Sequence, residues 1–124
     1  MVVTALALSA GGHVLAGVQE LAGTVSRLSE YVGGSWVNRS SGWTELPETP
    51  VIQALAVSHA RGVIWVGTAS AGVWMLNGSR WSRAGPAPSA INNAIIQALD
   101  VTQAGAVYAG TPNGLWRLTG VGSP

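Results

Sequence analysis

One phrase is written nearly three times in this chain. It is plainest at Val51 to Leu76, VIQALAVSHARGVIWVGTASAGVWML, and returns at Ile95 to Leu118 as IIQALDVTQAGAVYAGTPNGLWRL. A worn copy opens the chain at Val2 to Leu28. Leu6, Leu55 and Leu99 correspond, each after an alanine, and Gly17, Gly67 and Gly110 correspond next. Gly23, Gly72 and Gly114 open the third apolar run of each copy, and Leu28, Leu76 and Leu118 close it. The copies start at Val2, Val51 and Ile95, a spacing of roughly 40–50 residues, which belongs to stacked repeat units.

The composition sets the kind of unit. Hydrophobic residues make up 48% of 124 residues. Yet no apolar run approaches the roughly 18–20 residues that a membrane helix needs. The runs have strand length instead, and Gly interrupts every window long enough for a helix. An all-β fold of four-stranded antiparallel units is therefore expected, within one domain over residues 1–124. The first unit, about residues 2–47, reads as VTALALS, HVLAGV and TVSRLSEYV, then the Gly/Ser-rich GGSWVNRSSGW, with WTEL as fourth strand. Thr4, Leu6 and Leu8 should share one face of its first strand, and Ala5 and Ala7 the other. MVVTALALSAGG has the apolar run and small residues of a signal peptide, but no Lys or Arg precedes that run. Its alignment with the other copies favours a strand.

The second unit, about residues 51–84, is the clearest. Ile52, Ala54 and Ala56 are expected on one face of its first strand, with Gln53, Leu55 and Val57 on the other. HARG turns the chain into VIWV, apolar on both faces like a strand sandwiched between layers. VWML follows, then Asn77-Gly78, a pair suited to a type I′ hairpin turn, and RWSRA as outer strand. The third unit, about residues 95–118, repeats only three strands. The expected count is four, four and three strands, or about 2.75 units.

A four-stranded antiparallel meander repeated around an axis is a propeller blade, each blade covered on both faces by its neighbours. On IQAL…GVIWVGT..AGVWML and IQAL…GAVYAGTPNGLWRL, the chain resembles the propeller repeat of bacterial two-component-regulator sensor domains. It is also similar to the BNR-type and photosystem II assembly-factor repeats. NGSRW and NRSSGW keep a turn and a Trp, but the Asp of an Asp-box is absent, which argues against a sialidase-like role. The resemblance covers most of the chain and implies an incomplete β-propeller of about three blades. Closed propellers use about four to eight blades. The ring is therefore expected to be completed by homo-oligomerisation through exposed blade faces, or by a longer parent chain.

Little in the sequence points to chemistry. The net charge is +1, and the six cationic residues, all Arg, are scattered, so there is no basic footprint for nucleic acid. Zero Cys removes disulfides, thiol catalysis and thiolate metal sites, and leaves the compartment open. Glu20, Glu30, Glu45, Glu48 and Asp100 form no spaced pair of the kind glycoside hydrolysis uses. His13 and His59 read as turn residues, without the partners a metal site needs. No catalytic residue, metal or cofactor is expected. A ligand or partner face is placed at one end of the strands, on Gln53 and Gln97 and on the loop residues Thr68, Ser70, Thr111 and Asn113. Asp100 stands where the other copies have Ala7 and Ala56, either lining a channel that binds a cation or polar ligand, or pairing with Arg61 or Arg117, or simply exposed to solvent. Trp74 and Trp116 either pack between blades or face a groove. The expected function is a non-enzymatic module for ligand sensing or protein interaction. Alternatives are a lectin-like oligomer that stacks exposed aromatics on a small-molecule or glycan ligand, and a fragment of a BNR-like hydrolase.

Overall fold

The computed structural model describes residues 2–19, 26–39, 51–59, 62–69, 72–78, 80–83, 95–102, 106–112 and 114–118. They form eleven strands: β1 (Val2–Leu8), β2 (Val14–Gln19), β3 (Ser26–Val32), β4 (Ser35–Asn38), β5 (Ile52–Ser58), β6 (Val63–Thr68), β7 (Val73–Asn77), β8 (Arg80–Arg83), β9 (Ala98–Val101), β10 (Val107–Thr111) and β11 (Gly114–Leu118). These pair in sequence order into antiparallel sheets of four, four and three strands. No helix occurs among the described residues. The architecture is the all-β one expected, consistent with incomplete propeller blades.

The middle sheet is sandwiched, and its strands are apolar on both sides for that reason. All six residues of β6 are buried. One core lies between the first and second sheets, where Leu15 and Leu28 meet Ile52, Val57, Ile64, Val66, Trp74, Leu76 and Trp81. The other lies between the second and third sheets, where Ala56, Val63, Trp65 and Val73 meet Ile96, Val107 and Ala109.

Two sequence expectations about side-chain direction are corrected. The pairing register shifts between Val3 and Ala5 in β1 and between Ile52 and Ala54 in β5. One extra residue sends the side chain before it to the opposite face. Ile52 therefore joins Leu55 and Val57 against the first sheet, away from Ala56. Thr4 occupies the irregularity in β1, and its hydroxyl donates to the Gly17 carbonyl at 3.0 Å.

The outer hairpins also differ from expectation. In the first unit the fourth strand is Ser35–Asn38, inside the stretch read as a Gly/Ser-rich connection. Gly33 and Gly34 take φ of 59° and 86°, which only glycine adopts freely, and close a two-residue turn. WTEL lies outside the described residues. In the second unit Asn77 pairs with Arg80 in the ladder, so the turn begins at Gly78, with φ 64°, rather than at Asn77.

Register also corrects the alignment of the copies. Leu28 stands opposite Gly17, Val73 opposite Gly67, and Leu115 opposite Gly110. Leu28 thus matches Val73 and Leu115 rather than Leu76 and Leu118, and Ser29 matches Trp74 and Trp116. By the same register Trp36, opposite Tyr31, is the counterpart of Trp81, opposite Leu76.

Candidate functional site

The residues expected at the ligand face fall into three groups. Gln53 and Gln97 are exposed, at equivalent places at the start of the first strand of neighbouring units. Gln97 is tied by its backbone, its N–H donating to the Gly110 carbonyl at 2.8 Å. Both carboxamides face solvent.

Thr68 and Thr111 are committed to their own loops. The Thr68 hydroxyl donates to the Gly72 carbonyl at 2.8 Å, and the Thr111 hydroxyl to the Gly114 carbonyl at 3.0 Å. Thr68 is fully buried, and its carbonyl accepts the N–H of Ile96 across to the third unit. These hydroxyls bridge the ends of the loops that join the second and third strands of their sheets, and Thr68 is inaccessible to a ligand. Ser70 and Asn113 lie outside the described residues.

Trp74 and Trp116 are packing residues. Trp74 is completely buried between the first and second sheets, and Trp116 packs half-buried against the second core. Neither faces an open groove, because the stacking of sheets covers that side of the third strand. Asp100 is exposed, and its carboxylate accepts the N–H of Val101 at 2.9 Å.

A polar cluster that sequence reading missed lies at the edge of the first interface. The carboxylate of Glu30 is buried, and it accepts from Arg39 Nη1 at 2.6 Å and meets His13 Nδ1 at 3.0 Å. Arg39 also donates to the Gly78 carbonyl at 3.1 Å, while its own carbonyl accepts Trp81 Nε1 at 3.1 Å. The cluster ties the first sheet to the outer hairpin of the second. By sequence His13 is a plain turn residue. Its partner lies 17 positions away, and only the hairpin register brings them together.

The two ends of the stack are unlike. The outward face of the first sheet carries exposed Leu6, Val3 and Trp36 around a depression of about 460 Å3. Val14, Ala16, Val18, Arg27 and Ser29 also line it. Tyr31 and Trp36 form an exposed aromatic pair, ring centroids 5.1 Å apart. The outward face of the third sheet instead carries a cross-strand row of Asp100, Tyr108 and Arg117. The Arg117 guanidinium lies 6.0 Å from the Tyr108 ring centre. Among the described residues no group of His, Asp and Glu could hold a metal ion. No helix among them is long and apolar enough to cross a membrane.

These three antiparallel sheets are stacked in a way consistent with incomplete propeller blades, and among the described residues large apolar side chains are exposed on the outward faces of the first and third. No family model and no curated protein matches the chain. Among solved structures it is similar to the crystal structure of the extracellular domain of the putative hybrid two component system BT4673 from B. thetaiotaomicron, with a TM-score of 0.62 and 18% identity. The match covers 93% of this chain and 14% of that one. At this identity the likeness is one of fold.

Proposed function

We propose that the chain is a non-catalytic binding module of a propeller-type array, serving ligand sensing or protein interaction. The observation that carries this reading is the pair of solvent-facing carboxamides, Gln53 and Gln97, repeated on neighbouring sheets while the nearby threonines are consumed by their loops. A carboxamide offers both donors and an acceptor, so two of them suit a small polar ligand or a peptide backbone. The fold likeness to an extracellular domain of a two-component system supports the sensing variant. The non-catalytic reading is supported by the described carboxylates: Glu30 is buried against Arg39 and His13, and Asp100 lies on the far sheet. A thermal-shift screen of amino acids, short peptides and mono- and disaccharides tests it. A hit should be lost in the Gln53→Ala, Gln97→Ala double variant with the unliganded melting temperature unchanged. Hits indifferent to both substitutions would refute this placement.

A lectin-like reading is favoured by one observation, the exposed Tyr31–Trp36 pair, since aromatic faces suit stacking on sugars. It expects tryptophan fluorescence quenching by a sugar that disappears in Trp36→Ala and persists in the double glutamine variant.

A further inference from the structure

Both interfaces inside the chain are built the same way. An isoleucine placed just before the first strand's regular pairing sits on a glycine in the second strand of the preceding sheet. Ile52 packs so closely on Gly17 that a Cβ there would lie 2.8 Å from its Cγ2. Ile96 repeats this on Gly67, at 2.5 Å. Each glycine is a socket, and each isoleucine its plug.

One plug and one socket are left over. Among the described residues, the third glycine, Gly110, meets only its own sheet, with the Ala98 Cβ 3.7 Å from a Cβ built there. Val3, the counterpart of Ile52 and Ile96, lies on the outward face of the first sheet and is 54% exposed. A second contact repeats in the same sense. Trp81 reaches back to the Arg39 carbonyl of the preceding sheet, beside Glu30. Its counterpart Trp36 is 55% exposed, and Arg117 stands on the third sheet at the position of Glu30. An arginine beside an indole face is an attractive pairing.

We propose that a second copy of this chain docks head to tail, Val3 of one copy on Gly110 of the other and Trp36 beside Arg117. The surface continues the two interfaces already formed within the chain, and it is heterologous: two different faces of the same molecule meet. This inference stands on the fold and is independent of any ligand at Gln53 and Gln97. Asp100 moderates the contact. It occupies the place of Ala7, which like Leu55, the counterpart of Leu6, packs against the core of the first interface, so docking brings a carboxylate towards Leu6. Desolvating that charge opposes association.

Light scattering and sedimentation of the full chain test the proposal. A mass above the single-chain 12.6 kDa is expected, with a shift to larger species at higher concentration or a closed ring. Gly110→Trp and Val3→Asp should each give single chains with unchanged β circular dichroism, because both positions face outward. Mixing the two variants should restore a one-to-one pair and nothing larger, since one retains the plug and the other the socket. Asp100→Ala should tighten association about tenfold or more. A wild-type chain that stays single at about 1 mM, where only very weak binding would escape notice, overturns the proposal. So does a mixture that fails to pair, or an oligomer indifferent to Gly110→Trp, which would mark two identical apolar faces meeting instead.

Discussion

Gly17, Gly67 and Gly110 look interchangeable as letters, but they differ in what stands over them. At Gly67 a methyl group would overlap Ile96 by a wide margin. At Gly110 it would find ordinary contact. Gly67→Ala should therefore destabilise the chain by about 1–3 kcal/mol through overpacking. Gly110→Ala should be neutral, or stabilising by about 0.5–1 kcal/mol from reduced backbone freedom. Urea denaturation of both variants, at concentrations dilute enough for single chains, checks the contrast. Equal effects would mean that the plug-and-socket reading is mistaken. The threonines give the same lesson. Thr68 and Thr111 carry hydroxyls that a sequence offers as ligand groups, yet each is spent on a carbonyl three or four residues away.

At the scale of elements, the outer hairpins do more than finish each sheet. The β7–β8 turn and Trp81 hold the end of β4 through Arg39, which in turn satisfies the buried Glu30 carboxylate. A buried carboxylate deprived of its cation is costly, and hydrogen bonds to charged groups contribute about 1.5–3 kcal/mol each. Arg39→Ala should lower stability by about 2–3 kcal/mol. Glu30→Gln together with Arg39→Ala should recover part of that loss, because the neutral amide needs no cation. A double-mutant cycle by chemical denaturation measures the coupling, and additive effects would show that the pair is merely adjacent.

For the whole molecule, the decisive fact is that the middle sheet carries a hydrophobic core on each of its two faces. Opening free energies follow burial and packing, so amide exchange should be slowest across Val63–Thr68, where every residue is buried. Exchange should be fastest in β4, all of whose residues are exposed, and in β9 and β11 of the three-stranded sheet. Hydrogen exchange read by mass spectrometry or NMR checks the order. Protection of Val2–Leu8 that rises with protein concentration would report the head-to-tail contact directly. Uniform protection across all three sheets would contradict the layered picture.

The recurrence of one phrase, its strand-length apolar runs and the glycines between them were enough to set the all-β class, the strand count and the sandwiched character of VIWV. These are local properties, carried by periodicity and by turn chemistry in adjacent residues. Which way Ile52 points, which residue of the first unit matches Trp74, and where the fourth strand runs were settled only in three dimensions. A single extra residue at Thr4 or Gln53 reverses a side chain, and the pairing of Leu28 with Gly17 sets every correspondence along β3. Neither leaves a mark in composition or spacing. The Glu30 cluster is invisible for the same reason: its members His13, Arg39 and Gly78 come from separate strands and turns. They meet only because pairing and stacking have already placed the backbone.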